Sequence, residues 1–277
     1  MLRNCKLCPR RCGVDRTAGE LGICRVGRYA QVASFFAHHG EERTMSGSRG
    51  SGAIFFGGCS LRCVFCQNYD VSQGSAFPQV TDEQLAGMML TLQAHGWHNI
   101  NFVTPSHVIP QILEALKIAA SRGLKIPLVY NSSGYDRAET LRLLEGIVDI
   151  YLPDFKIWDP DMAKELLHAR DYPEYARTSL KEMHRQVGIL KEDTNGIARR
   201  GLLIRHLVMP NALSDTKAIV DFIANELSAN THVNIMGQYH PSGEVKRKTF
   251  SGINRRTTIQ EFKEAQATAK NAGLNLE

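Results

Sequence analysis

Six short apolar runs, each set off from the next by enough chain for a helix, limit the possible folds more than any other feature. They occupy residues 53–56, 99–103, 126–130, 147–152, 201–208 and 232–236. Runs of this length read as strands of a parallel sheet buried on both faces. Helix signals fill the gaps. Thr81-Asp82-Glu83-Gln84 forms a capping box, and Leu85, Met88, Met89 and Leu92 follow on one face. Ile109, Ile112, Leu113 and Leu116 repeat the pattern, with Gly123 past the end. Leu141 and Leu144 precede Gly146 in the same way, Ile219, Phe222 and Ile223 mark another helix, and Thr258-Ile259-Gln260-Glu261 caps a last one. Such alternation predicts an α/β fold with right-handed crossovers. Six units fall short of a closed eight-stranded barrel. The expectation is a partial (β/α)6, TIM-like barrel that binds ligands at the C-terminal ends of its strands.

All seven cysteines precede residue 67: Cys5, Cys8, Cys12 and Cys24 near the start, then Cys59, Cys63 and Cys66. No stretch approaches the ~20 apolar residues of a membrane span, and Met1-Leu2-Arg3-Asn4-Cys5 has no signal-peptide core. The expected location is therefore the cytoplasm, where clustered cysteines read as metal sites rather than disulfides. The net charge of +5 is spread along the chain, and Lys246-Arg247-Lys248, its densest basic stretch, reads as a solvated loop. No basic stripe interleaved with aromatics signals nucleic-acid binding.

Cys59-Ser60-Leu61-Arg62-Cys63-Val64-Phe65-Cys66 is a C-x3-C-x2-C loop directly after the first strand run. Three thiolates there suit three irons of a [4Fe–4S] cubane and leave the fourth iron without a protein ligand. A structural zinc completed by a distant ligand is the competing reading. The order of motifs along the chain resembles the radical S-adenosylmethionine superfamily, and within it relatives of the pyruvate formate-lyase activating enzyme that carry extra N-terminal cysteines. After the loop, which continues into Gln67-Asn68, come Asn131-Ser132-Ser133-Gly134 and Asp149-Ile150-Tyr151-Leu152-Pro153-Asp154-Phe155-Lys156. Ile204-Arg205-His206-Leu207-Val208-Met209-Pro210 and Gln238-Tyr239-His240 follow.

The resemblance implies that the cluster reductively cleaves S-adenosylmethionine to a 5′-deoxyadenosyl radical, which abstracts hydrogen from a substrate. It places Asn68, Thr104, Asn131, Ser133, Asp154, Lys156, Arg205 and His240 around S-adenosylmethionine. It implies an electron donor of flavodoxin or ferredoxin type. The substrate would be a glycine in a partner enzyme, a peptide or a small molecule. Two positions depart from the activating enzymes. Val103-Thr104-Pro105-Ser106-His107 stands where they have Gly-Gly-Glu-Pro, so the amino group would meet Thr104, backbone carbonyls or His107. Asn131 stands where they tend to have Asp.

The earlier cysteines read C-x2-C-x3-C-x11-C, a closed four-thiolate site. Zinc and a second [4Fe–4S] cluster both fit. The folding energy that so small a module draws from its metal leans toward zinc. We expect a cysteine-rich module over residues 1–46 and the barrel over 47–277, joined through the glycines of Gly47-Ser48-Arg49-Gly50-Ser51-Gly52. With every cysteine assigned to a metal, none is left as a hydrogen-atom donor. His38-His39-Gly40-Glu41-Glu42 is a further candidate for acid–base or metal chemistry. Tyr130, Tyr135 and Tyr151 are candidates to line the mouth, and Phe55, Phe56 and Phe65 to stack on adenine. His206 and His240 also read as core histidines. The rival function is an iron–sulfur or zinc protein that binds or transfers electrons without turnover.

Overall fold

A computed structural model describes residues 1–74, 76–247, 250 and 252–277. Lys248 of the basic run therefore lies outside the described residues. The strands, in chain order, are β1 (Ala30–His38), β2 (Ser51–Phe56), β3 (Gln79–Val80), β4 (Ile100–Val103), β5 (Leu128–Ser132), β6 (Ile150–Pro153), β7 (Lys191–Glu192), β8 (Ala198–Leu207), β9 (His232–Met236) and β10 (Asn275–Leu276). The helices are α1 (Arg43–Ser46), α2 (Tyr69–Gln73), α3 (Asp82–Ala94), α4 (Ile109–Ser121), α5 (Ala138–Leu141), α6 (Pro160–Leu167), α7 (Tyr172–Val187), α8 (Thr216–Phe222) and α9 (Ile259–Asn271).

The sheet order is β10-β9-β8-β6-β5-β4-β2-β1-β3, with β7 paired to β8. From β2 to β10 the neighbours in that order run parallel. β10 and β3 lie at its two ends, so the sheet curves without closing. This is the expected partial barrel, and β2, β4, β5, β6, β8 and β9 are its six expected strands. Every residue of β4, β5 and β6 is buried, which is why those runs lack alternation. β5 and β6 begin two and three residues after their apolar runs, at 128 rather than 126 and 150 rather than 147. Ile147 and Val148 instead turn the chain back, their amides donating to Leu144 O.

Alternate strand residues face opposite ways. Tyr130, Tyr151, Leu202 and Ile204 pack outward against α7 and α8. Val129, Ile150, Leu152 and Leu203 pack inward with Met45 of α1. α3 and α4 cover Ile54, Phe56, Ile100 and Phe102 on the outer face. The capping boxes at Thr81 and Thr258 form as expected. β1, α6 and α7 carry no counterpart among the expected elements. β1 pairs antiparallel with β2, so residues before position 47 share the barrel's sheet. α6 starts on Asp159, whose carboxylate accepts from Asp161 N and Met162 N, with Pro160 at the first helical position.

Gly134 shows how tightly the strand ends meet. It has φ +74°, and a Cβ there would sit 2.3 Å from Asp154 O. Its amide donates to Ser132 Oγ at 3.1 Å. Gly134→Ala should therefore lower stability by roughly 2–4 kcal/mol, read as a shift of the urea midpoint. An unchanged midpoint would show that the turn relaxes freely.

Candidate functional site

Gly57 and Gly58 carry the chain out of β2 into the cysteine loop, Gly58 with φ +80°. Cys63 is buried, while Cys59 and Cys66 are half-buried. Hydrogen-bond donors already point at two of the sulfurs. Leu61 N donates to Cys59 Sγ at 3.4 Å, and Ser72 Oγ donates to Cys66 Sγ at 3.3 Å. Burial pushes the Cys63 thiol up, and the sulfurs of Cys66 and Cys59 add to it while Lys156 opposes it. The three sulfurs and the Lys156 ammonium thus share one electrostatic neighbourhood. Such a set favours neutral thiols until a cation takes the place of the protons, which fits a metal–thiolate centre.

Two residues beyond Val129, Leu152 and Leu203, on the same inner face, stand Asn131, Asp154 and Arg205. Arg205 Nε donates to Asp154 Oδ1 at 2.8 Å, and its Nη2 donates to Asn131 Oδ1 at 2.5 Å. Lys156 Nζ closes the set on Asp154 Oδ2. Burial alone would raise the Asp154 carboxyl, but Arg205 and Lys156 outweigh it and hold the group below the usual carboxylate range. The same pairing raises Lys156 and Arg205 against their own burial. All three stay charged. The Arg205–Asp154 link bridges two neighbouring strands.

A fourth group, Glu41, reaches Arg205 Nη1 at 3.5 Å from the segment between β1 and β2. That segment crosses beneath the strands. Asn99 Nδ2 donates to Met45 O at one side, and Asn234 Nδ2 donates to Glu42 Oε1 at the other. Of the His38–Glu42 candidate, His38 and Glu41 thus face the lumen, while His39 lines a groove at the other end of the strands. A cavity of about 470 Å³ lies there, lined by Asn68, Val103, Asn131, Arg205, Glu41 and Phe55, among others. Phe36 and Phe55 form one wall, their rings stacked 5.5 Å apart at 3°. A wider groove of about 910 Å³ lies at the opposite, N-terminal ends of the strands, beside His98 and Asp193. The smaller cavity, by contrast, takes in Gln67 and Asn68 directly after Cys66, together with Asn131 and Arg205 of the polar layer, so it is the candidate site.

The remaining expected residues are scattered. Thr104, directly after β4, has φ +61°, rare for a β-branched residue, but does not line the cavity. Ser133 Oγ accepts from Tyr135 N at 3.4 Å. His240 is half-buried, its Nδ1 3.3 Å from Gln238 O, and also stands apart from the cavity. His107 points away from the lumen. Its Nε2 meets Gly57 O at 2.9 Å, and burial lowers the ring's pKa to about 4, so it is neutral and donates that bond. His206 is a core histidine, its nitrogens 2.8 Å from Phe155 O and 2.9 Å from Thr216 Oγ1. Tyr130, Tyr135 and Tyr151 do not line the mouth. They are buried, donating to Asp136, Asp171 and Gln186. Phe56 packs in the core on Phe102, and Phe65 meets Tyr239 edge-on at 6.1 Å.

The four N-terminal cysteines line one small pocket with Arg16 and His107. The module is clamped to the cysteine loop by Arg10, whose Nε donates to Ser60 O at 2.8 Å and whose Nη2 donates to Leu61 O at 3.0 Å. Neither Arg10 nor Arg16 stood out in the sequence. The available signal was their position between the clustered N-terminal cysteines.

The Radical SAM superfamily profile matches residues 53–223. An uncharacterised protein of Methanocaldococcus jannaschii is 35% identical over 284 residues, covering 100% of this chain and 77% of that one. A second uncharacterised protein of the same organism is 25% identical over 261 residues, covering 86% and 70%. Among solved structures, Streptococcus suis SuiB bound to precursor peptide SuiA superposes with TM-score 0.53 at 11% identity, over 79% of this chain and 46% of that one. HydG, a maturase of the [FeFe]-hydrogenase, superposes with TM-score 0.53 at 14% identity, over 78% and 48%. The chain spans under half the length of these two, and the likeness is one of fold.

Glu41 gives a pH-dependent expectation. Burial pushes its carboxyl up to about 7, against the opposing pull of Arg205. The folded chain then binds a proton that the unfolded chain releases near pH 4.5, so Glu41's contribution to stability falls as pH rises through that window. The melting temperature of Glu41→Gln relative to wild type should therefore climb between about pH 5 and pH 8. A constant difference across that range would show Glu41 ionised throughout.

Proposed function

Because the chain belongs to the radical SAM superfamily, we propose that it is an enzyme in which Cys59, Cys63 and Cys66 hold a [4Fe–4S] cluster and the lumen beside them binds S-adenosylmethionine. The observation that carries this is the C-x3-C-x2-C loop leaving β2 beside the polar set Asn131, Arg205, Asp154 and Lys156 at the neighbouring strand ends. When bound, cluster and S-adenosylmethionine supply the one-electron cleavage of a carbon–sulfur bond that yields a 5′-deoxyadenosyl radical for hydrogen abstraction.

The chain's own residues position and screen. Lys156 and Arg205 carry two positive charges against the one carboxylate, Asp154, that is held ionised. The excess suits the carboxylate of the methionine moiety. Asn131 and Asn68 offer amides at the cavity wall. Thr104, Ser133 and His240 do not line the cavity and fall outside this set of contacts. Asp154 orients both cations, because each donates to a different one of its oxygens.

For the substrate we favour a polypeptide segment, whether a glycine of a partner enzyme or a peptide to be modified. The fold shared with SuiB, which was solved with its precursor peptide, supports this. A one-electron donor of flavodoxin or ferredoxin type completes the reaction, supported by a surface cleft beside the loop that Arg10, Arg25 and Arg62 line. Among the described residues no helix is long and apolar enough to cross a membrane. The reduced thiols that the reading requires fit the cytoplasm.

Anaerobically reconstituted protein, given dithionite and S-adenosylmethionine, should form 5′-deoxyadenosine, quantified by chromatography. A Cys59→Ala, Cys63→Ala, Cys66→Ala variant should form none. Absence of product from loaded, reduced wild type would leave the electron-transfer reading in its place. Lys156→Met should weaken S-adenosylmethionine binding about tenfold or more, equivalent to about 1.4 kcal/mol, in a titration of the cluster's paramagnetic resonance signal.

A further inference from the structure

Part of the edge of β1 is open. The strand pairs with β2 from Val32 to His38, but on its other side β3 covers only Ala30 and Gln31. Past the bulge at Ala33, no strand among the described residues lies against that side. The direction of the backbone groups follows from β2. Gly52 N donates to Asn99 O on the β4 side, and Gly57 N donates to Gln31 O on the β1 side. Successive strand residues turn their backbone groups to alternate sides, so Ser51, Ala53 and Phe55 turn theirs toward β1. Their partners there are His38, Phe36 and Ser34. The N–H and C=O groups of Phe35 and Ala37 therefore face away from β2. Ahead of the bulge, Val32 N faces the same way and donates to Pro78 O at 3.1 Å. Phe35 and Ala37 have no such partner among the described residues.

Side chains alternate across the same stretch. Ser34, Phe36 and His38 line the lumen cavity. The Phe36 ring stacks on Phe55 at 5.5 Å and on His38 at 5.8 Å, so the wall beside the open edge is aromatic. Phe35 pairs across with Ile54 and turns to the outer face. Both phenylalanines are exposed, Phe35 at 40% and Phe36 at 43%. Edge strands are ordinarily shielded by lysine, proline, a bulge or a covering segment. Ser34-Phe35-Phe36-Ala37-His38 contains neither lysine nor proline, and the bulge lies before it.

An unshielded edge beside a cavity calls for an occupant with its own row of amides and carbonyls. We propose that the polypeptide substrate docks as an added β-strand along residues 34–38, continuing the line of β3 and bonded through the main chain of Phe35 and Ala37. Opposed residues that exchange no main-chain bonds bring their side chains closest. The substrate residue opposite Phe36 is of that kind, so its side chain enters the lumen against the Phe36 ring, while its two neighbours turn to the face that carries Phe35. A small or apolar residue suits that aromatic wall. The main chain supplies the affinity and the lumen position the selection. A second copy of this chain is the rival occupant, but its strand would then stand at the mouth that the substrate must enter. That the docked segment is the substrate rests on the radical reading of the lumen; that the edge takes a strand does not.

Random peptides of about nine residues, displayed on their own messenger RNA and panned on the full chain, supply the probe. Selected peptides should bind wild type in fluorescence anisotropy. Ala37→Pro removes one outward N–H and no bond to β2, and should weaken them about tenfold or more. Ala37→Ser keeps the N–H and should bind like wild type. Two measurements on wild type hold even if Ala37→Pro fails to fold. N-methylation along a selected peptide should weaken binding at every second position only, and amide exchange at Phe35 and Ala37 should slow when the peptide binds. Loss at consecutive positions, unchanged exchange at those two amides, or a selection that returns no binder would overturn the docking edge. A wild-type dimer in sedimentation that Ala37→Pro breaks would give the edge to a second copy instead. Peptide binding with this signature, but no 5′-deoxyadenosine from loaded, reduced wild type, would keep the edge and remove the radical reading. Formation of 5′-deoxyadenosine without the signature would do the reverse.

Discussion

The Asp154–Arg205 pair is the contact on which the lumen is organised. Parallel strands put successive inward side chains in layers, and the apolar layer of Val129, Leu152 and Leu203 ends where the polar layer begins. Asp154 and Arg205 form a parallel bridge at the point where β6 and β8 part. Because Arg205 spends its remaining donors on Asn131 and Glu41, one guanidinium fixes groups from β5, β6, β8 and the segment before β2. Because Asp154 also takes Lys156, the same carboxylate holds an ammonium beside the guanidinium.

The second organising contact is between two pieces of chain that have little regular structure. The N-terminal module holds only two short turns of 3-10 helix before β1. It cannot bury much apolar surface, so its folding leans on its cysteines and on the loop it grips. The cysteine loop in turn borrows order from the module, through the Arg10 bonds to Ser60 and Leu61. Neither piece is placed without the other, which gives the sites a shared boundary at Gly57 and Gly58.

Much of this was legible in the residues. The six parallel strands announced themselves because burial on both faces forces unbroken apolar runs. The cysteine motif announced itself by spacing. What stayed hidden followed from the same physics. β1 has a mixed pattern, buried at Ala30 to Val32 and exposed at Ser34 to Phe36, where it leaves the core for the open lumen. α7 is predominantly polar by sequence, since its outer face is solvated, although Tyr172, Leu180 and Met183 are buried. Glu41 sits in an irregular segment, and nothing local to His38-His39-Gly40-Glu41-Glu42 says that Arg205, far along the chain, is its partner. Tyr130, Tyr135 and Tyr151 misled for a different reason. They lie near strand ends, but alternation or the turn direction carries their rings outward, where buried acceptors meet the hydroxyls.

The arrangement also argues its own purpose. Asp154, Lys156, Arg205 and Arg16 are charges taken largely out of water, and each such burial costs several kcal/mol before pairing offsets it. An apolar plug of equal volume would serve the barrel as well or better, as the layer below it shows. Thr104 adds strain of about 1–3 kcal/mol in a left-handed conformation that glycine would take freely. These departures from the most stable choice gather at the strand ends and around the two sets of cysteines. Stability alone gives no reason for that placement. The proposed charged cofactors would: an anionic metal–thiolate centre and a carboxylate-bearing ligand would turn the same buried cations from a cost of folding into a means of binding.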